Sequence, residues 1–304
     1  MVNYNLIKPQ KIEYYVSIVT MLLPSSLTLI LWREFGYHEP IWWYLASLSG
    51  LLLILVGTFI FNSIKNIRGY VAFMLFLFIM GYGGGWKFGV IPWIRSNETW
   101  IVCTSGLLSR FSDLAVHLLR LAPALLILTV SKLYRLSFSD LFLAVGDVRR
   151  NVQPSRLLGV KDKSISWIEM TLRFSAIFGF GTAVFLVLAV KPEVGRLLEN
   201  LYVLPFVMVI AALNAFNEEF ILRAVPLSIL SKSVGDENAL FLTTSFFSLG
   251  HYYGVPYGFT GVLLSGFLGW FIGKSILETR GFLLAWFAHF IPDLVVFGFL
   301  LIYT

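Results

Sequence analysis

Apolar runs of about twenty residues recur from one end of the chain to the other, and no other feature constrains its fold as much. One helix of that length crosses the hydrocarbon core of a bilayer. The 304 residues are 58% hydrophobic and 13% charged, whereas soluble domains carry about 25% charged residues. We therefore predict an all-α fold, a polytopic transmembrane helical bundle.

The runs predict about eight or nine membrane spans, because nine segments are long or apolar enough to be candidates. The third and the seventh are short, and either could be partly re-entrant. The nine candidates are Tyr14–Trp32, Ile41–Phe61, Tyr70–Trp86, Leu114–Leu133, Trp167–Val190, Leu201–Leu230, Ala239–Tyr253, Gly258–Leu277 and Phe282–Tyr303.

The formal charge of +6 does not indicate a nucleic-acid partner. The basic residues lie in loops between apolar runs, as the positive-inside rule expects, and they form no basic arm. The most polar loop, from Tyr134 to Ser166, is interpreted as a cytoplasmic connector; the alternative is that Ser139 caps a short interfacial helix within it. Because Cys103 is the single cysteine, no intrachain disulfide is possible.

Ionisable side chains well within the predicted spans are candidates for function, because burying such groups in a bilayer is costly. Eight residues meet this condition, and six of them lie between Leu201 and the end of the chain. The eight are His117, Arg120, Glu218, Glu219, Arg223, His251, His289 and Asp293. We interpret His117 and Arg120 as contacts between helices or with an internal cavity.

Three of these residues belong to one predicted helix. Glu219 and Arg223 are four residues apart, so they share a helix face and are expected to neutralise each other. Glu218 points about 100° away from Glu219. It therefore has no evident partner on its own helix, and an unpaired buried carboxylate suits a general base.

The remaining candidates are expected at similar depths in the membrane. If the sixth and seventh spans form an antiparallel pair around 231–238, Glu218 and His251 lie about 20 Å from that turn on each side. His289 and Asp293 are four residues apart on one face of the last span, at overlapping depth. Three helices are thus expected to present all four side chains to one cavity.

Three short motifs occur in order along this part of the chain. They read EEFILR at 218–223, FSLGH at 247–251 and HFIPD at 289–293. This series resembles the EExxxR, FxxxH and HxxxN/D motifs of the CPBP family of intramembrane endopeptidases, which includes CAAX proteases and bacteriocin-processing enzymes. The resemblance covers the chain from about Leu201 onward and implies a hydrolase that cleaves membrane-anchored peptides or proteins within the bilayer.

The resemblance also implies roles for individual residues. Glu218 and His251 would activate the attacking water, and Glu219 and Arg223 would form a structural ion pair. We accordingly divide the chain into 1–166, N-terminal spans and a cytoplasmic loop without a recognisable motif, and 167–304, a CPBP-like catalytic membrane core. The relatives suggest the plasma membrane of a prokaryote as the location.

By the same resemblance, His289 and the residue at 293 would stabilise the oxyanion. Position 293 is Asp, where the best-understood relatives have Asn, and an ionised carboxylate cannot donate a hydrogen bond. Asp293 would then be protonated, bind a metal ion, or hold His289 in one tautomer.

Two other interpretations use the same side chains. Glu218, His251, His289 and Asp293 are all acceptable zinc ligands, although the chain lacks the HExxH signature. We favour a metal-free mechanism with no cofactor, and zinc is the alternative. A transporter or a catalytically idle scaffold would also bury such groups. The expected partners are a membrane-anchored substrate and the lipid bilayer.

Overall fold

The structure is a computed structural model, and it describes residues 11–38, 41–82, 88–105, 112–162, 165–191, 195 and 199–303. These residues form helices joined by turns, and they contain no strand. Two isolated β-bridges, Asn151 with Ser166 and Ser155 with Val160, lie in the long polar loop. The all-α prediction is confirmed.

Thirteen α-helices are formed by the described residues. They are α1 Lys11–Leu22, α2 Leu27–Glu34, α3 Ile41–Ile60, α4 Arg68–Met80, α5 Val90–Arg95, α6 Glu98–Thr104, α7 Ser112–Leu133, α8 Trp167–Val190, α9 Leu204–Glu219, α10 Val225–Val234, α11 Asp236–Gly250, α12 Phe259–Thr279 and α13 Leu283–Tyr303. One π-helical turn, Phe220–Ala224, joins α9 to α10 without a break.

Seven helical segments of the described chain are long and apolar enough to cross a bilayer, and a bent pair raises the number to eight. The pair is α1 and α2, which meet at 52°. The seventh candidate, Ala239–Tyr253, is wrong as a full crossing, because α11 has 15 residues and reaches about 22 Å against a core of about 30 Å. The predicted end of the third span, Trp86, lies outside the described residues.

The chain divides into two compact units, each built from two stretches of sequence. Unit 1 comprises Met1–Leu108 and Val225–Gly273, and unit 2 comprises Ser109–Ala224 and Lys274–Thr304. In unit 1, α3 packs against α4, and α10 packs against α11. These units do not divide at residue 166, so the division by motif content stays a prediction.

In unit 2, α13 packs along both α8 and α9, and α9 also packs along α7. Gly179 of α8 makes one of these approaches possible, because a Cβ there would lie 2.8 Å from the Cγ2 atom of Ile291 in α13. The indole Nε1 of Trp286 in α13 donates to the carbonyl oxygen of Ala212 in α9, at 3.0 Å. Helix α9, which carries Glu218 and Glu219, is thus packed along both α7 and α13.

The polar loop between α7 and α8 is ordered around the end of α12 that belongs to unit 2. The Glu278 carboxylate accepts from the backbone N–H of Gln153 at 2.9 Å and from the indole Nε1 of Trp167 at 2.8 Å. The short 3₁₀ turn Phe138–Leu141 is capped by Ser137, so the predicted cap, Ser139, is wrong by two residues. Ser137 is the residue whose position lets its side chain and Asp140 bond reciprocally.

Candidate active site

A cluster of polar side chains lies within unit 2, where α7, α9 and α13 pack together. Helix α9 carries Asn214, Glu218 and Glu219, and it continues into the π turn that holds Arg223. Arg120 comes from α7. His289 and Asp293 come from α13, one turn apart. These seven residues are called the polar cluster below.

Glu219 is the most enclosed carboxylate of the cluster and contacts two partners. Its Oε2 lies 3.1 Å from Nε of Arg223, and both side chains are fully buried. Its Oε1 lies 2.6 Å from Nδ1 of His289. The contact with Arg223 is the one that the spacing predicts, whereas the contact with His289 cannot be derived from either motif alone. Glu219 therefore links the ion pair to the histidine.

The π turn sets the direction of Arg223. A π turn adds one residue to the helical turn and is found frequently at functional sites. It begins directly after Glu219, so the backbone of 220–224 departs from the regular helix assumed in the sequence interpretation. Pro226 follows the π turn, in the first turn of α10, and is buried there.

Glu218 has a partner on another helix, which corrects the expectation that it has no evident mate. Nη2 of Arg120 lies 3.0 Å from Oε1 of Glu218 and donates a hydrogen bond to it. Nη1 of the same guanidinium donates to Oδ1 of Asn214 at 2.8 Å. A second link between α7 and α9 runs from the side-chain amide of Asn217 to the carbonyl oxygen of His117, at 3.0 Å.

His289 lies between carboxylates on both sides of its ring. Nδ1 meets Glu219, while Nε2 lies 3.8 Å from Oε2 of Glu218 and 3.5 Å from Oδ1 of Asp293. Carboxylates only accept hydrogen bonds, so a proton on each ring nitrogen satisfies this arrangement. The imidazolium form of His289 therefore fits its surroundings.

Asp293 also contacts Asn214, whose Nδ2 donates to Oδ2 of Asp293 at 3.0 Å. The contacts close a ring of five side chains, in which each member meets the next. In order, the ring is Arg120, Glu218, His289, Asp293 and Asn214. Asp293 therefore accepts a hydrogen bond from Asn214 at Oδ2 and turns Oδ1 toward His289.

The formal charges of the cluster balance. Three carboxylates face two guanidinium groups and one imidazole, so the sum is zero when His289 carries its second proton. Buried charges persist when they are paired and hydrogen-bonded. Within the described part of the chain, no group of three or more His, Cys, Asp and Glu side chains is arranged to hold a metal ion.

His251 belongs to unit 1, whereas the polar cluster belongs to unit 2, so its predicted approach to Glu218 stays a prediction. It lies at the C-terminal end of α11, and its Nδ1 is 2.9 Å from the carbonyl oxygen of Phe247. A carbonyl only accepts, so Nδ1 carries a proton and Nε2 is the acceptor of the neutral ring. This tautomer suits a group that receives a proton.

Sequence reasoning missed the place of Asn214 and the partner of Arg120. Asn214 is one helical turn before Glu218 and is uncharged, so no rule about intramembrane charges selects it. Arg120 was among the ionisable residues, but Glu218 is 98 positions away. Charge balance is the signal that finds it, because three buried acids need a second arginine.

Comparisons with known proteins agree with the motif series. Residues 200–295 match the family model described as Type II CAAX prenyl endopeptidase Rce1-like. The resemblance to CPBP endopeptidases is thereby confirmed over this third of the chain. No curated protein and no solved structure matches. The matched segment includes all three motifs, and it ends two residues after Asp293; Arg120 lies outside it.

Proposed function

We propose that this chain is an intramembrane endopeptidase of the CAAX-protease type, which cleaves membrane-anchored peptides or proteins with a water activated by Glu218 and His251. The observation that carries the proposal is the polar cluster: two of the three motifs of the matched segment meet there, inside apolar helices. A cluster of paired acids around a histidine inside such helices is expected of a site for proton transfer.

The reaction follows from the chemistry of the residues. Glu218 takes a proton from water, and the resulting hydroxide attacks the peptide carbonyl carbon. The imidazolium of His289 donates to the oxyanion that forms, and Asp293 keeps that imidazolium in place. The C–N bond then breaks, and the leaving amine takes the proton held by Glu218. His251 would share the water with Glu218 through its Nε2 atom.

The substrate we propose is a peptide held at the membrane by its own anchor. Glu218, His289 and Asp293 lie in helices of high hydropathy, α9 and α13, so a freely soluble peptide would have to enter the bilayer to reach them. The name of the matched family refers to prenylated substrates. Peptides with a prenyl anchor and with a transmembrane anchor, compared at equal membrane density, separate the two kinds of substrate.

The metal-free form is part of the proposal. Arg120 already neutralises Glu218, and Arg223 neutralises Glu219, so a second cation at these carboxylates would meet positive charge. Purified protein should then contain well under one zinc per chain and keep its activity with a chelator. Stoichiometric zinc, with activity lost on its removal, would instead favour the metalloprotease, with Asp293 among the ligands.

The experiment that tests the function compares peptide release by the native protein and by Glu218→Gln. The amide keeps the size of the side chain and removes the base, so turnover should fall about 10²- to 10⁴-fold while the protein folds. Glu169→Gln is the matched control, because Glu169 is an exposed glutamate of the same unit. Native turnover in Glu218→Gln would refute the role of Glu218, and no release by the native protein would favour a transporter or scaffold.

A double substitution tests the part played by His251. If Glu218 and His251 act on one water, their effects do not multiply, and the double variant should be little slower than either single variant. Turnover of both single variants and of the double, on one anchored peptide, provides the comparison. Fully multiplicative losses would mean that the two side chains act independently, and His251 would lose its assigned role.

A further inference from the structure

Arg120 is a contribution to the polar cluster from a helix that lies outside the matched segment. It belongs to α7, and its side chain is 23% exposed. Its guanidinium donates in two directions, to Glu218 at 3.0 Å and to Asn214 at 2.8 Å. A planar guanidinium can hold two acceptors in fixed directions, which a single ammonium group cannot do.

The guanidinium also fixes the orientation of a neutral side chain. An asparagine side chain has an accepting end and a donating end, and a guanidinium only donates. Arg120 therefore meets Oδ1 of Asn214, which turns Nδ2 toward Asp293, where it donates at 3.0 Å. Two acids on two helices, Glu218 and Asp293, thus depend on the position of Arg120.

Arg120 contributes a positive charge to the polar cluster as well as hydrogen bonds. Without Arg120 the polar cluster would have three carboxylates against Arg223 and His289, one negative charge in excess. In a buried site such an excess is relieved by protonation of an acid or by its movement toward water. Either change would affect Glu218, because Arg120 is its direct partner and Glu219 keeps its contact with Arg223.

We infer that Arg120, with Asn214, is a positioning residue of the active site, which keeps Glu218 ionised and oriented as the base and holds Asp293 against His289. This inference rests on the proposed function. Arg120 acts through Glu218 and Asp293, so its loss should lower kcat more than it raises KM. The chain would then need α7 for its chemistry, although the family match begins at residue 200.

The variants Arg120→Ala, Arg120→Gln and Arg120→Lys test the inference by kcat and KM for release of an anchored peptide. We expect kcat to fall at least tenfold in the Ala and Gln variants, with KM within about threefold, because binding of the substrate is not changed. The Lys variant, which keeps the charge and loses the fork, should fall between Gln and native. Guanidinium ion at millimolar concentration should restore part of the activity of the Ala variant.

Arg173→Ala and Arg173→Gln are the matched controls. Arg173 also pairs with a glutamate of the same unit, but its side chain is 65% exposed and its partner, Glu169, is not a member of the polar cluster. They should keep native kcat. Rescue by charge or by guanidinium is a result that loss of a merely structural contact would not give. If the Ala variant does not fold, the comparison of Lys with Gln decides: a tenfold advantage for Lys supports the inference, and equal kcat overturns it.

The outcomes also separate this inference from the proposed function. If Glu218→Gln is inactive and the Arg120 variants keep native kcat, or lose activity through KM alone, the inference is wrong and the endopeptidase stands. If loss in the Arg120 variants is equal for Ala, Gln and Lys and is not rescued, Arg120 is a structural contact and the inference is again wrong. A native protein that releases no peptide refutes the function and, with it, the inference.

Discussion

Two Glu–Arg pairs of unit 2 have the same spacing in the sequence and different surroundings. Glu219 and Arg223 are four residues apart and both fully buried, with His289 as a third partner. Glu169 and Arg173 are also four residues apart, but near the start of α8, and they are 48% and 65% exposed. The spacing is identical, so the difference in consequence has to come from burial.

The comparison shows why i,i+4 spacing predicts contact but not importance. A pair exposed to water gains little, because water and salt compete with it, and Glu169 also lies favourably in the first turn of its helix. In the buried pair, removal of one partner leaves a charge without compensation. Removing one partner of the buried pair therefore costs far more free energy than forming the pair gains.

The largest expected effect is that of Arg223→Ala. It leaves Glu219 buried beside His289 without its main counter-charge, so the free energy of unfolding should fall by about 3–5 kcal/mol. Thermal midpoints in detergent measure the loss, and low yield would agree with it. Normal stability with selective loss of turnover would contradict a structural role for the buried pair, because Arg223 would then bind substrate.

A smaller effect is expected in a double-mutant cycle that measures the coupling between Glu219 and Arg223. Glu219→Gln alone removes the charge that both Arg223 and His289 face, and it should destabilise the protein by a few kcal/mol. Combined with Arg223→Met it should be less damaging than the sum, since no charge is left unpaired in the double variant. Thermal midpoints of the four proteins give the coupling, and additive losses would contradict a direct pair.

A small effect is expected for Arg173→Ala. Exposed pairs at this spacing contribute about 0.3–0.5 kcal/mol, so its thermal midpoint should stay close to that of the native protein. Measured beside Arg223→Ala under the same conditions, it gives the scale of the difference. A loss comparable to that of Arg223→Ala would mean that α8 depends on its exposed pair.

The smallest expected effect is that of salt on the same variants. At 1 M ionic strength the screening length is about 3 Å, which weakens an exposed pair and hardly affects a buried one. The small midpoint difference between native protein and Arg173→Ala should shrink further, while that of Arg223→Ala persists. Equal shrinkage of both differences would show that water reaches Glu219.

Sequence patterns predicted the class of fold and much of the site, because both depend on local regularities. Apolar runs indicate spans, and spacing within a helix places Glu219 beside Arg223 and His289 one turn from Asp293. The ninth candidate span came from the segment of α11, because Ala239–Tyr253 has 15 residues, as α11 has, and a full crossing needs about 20.

The rest could not be predicted, because it depends on which helices are neighbours. The contact of Glu218 with Arg120 joins α9 to α7, and no periodicity reports that packing. Asn214 escaped notice since a neutral amide carries no charge signal, although it connects Arg120 with Asp293. The roles of Glu218, His251, His289 and Asp293, and the side of the membrane on which each loop lies, stay predictions.

The π turn after Glu219 has a consequence for how relatives are aligned. It holds one more residue per turn than an α-helix, so a single deletion within 220–224 would restore regular geometry without opening a loop. A deletion between Glu219 and Arg223 would also shorten the interval between the acid and the arginine from four residues to three. A homologue with a one-residue gap at this position would therefore read EExxR instead of EExxxR, and the altered motif would mark the loss of the π turn.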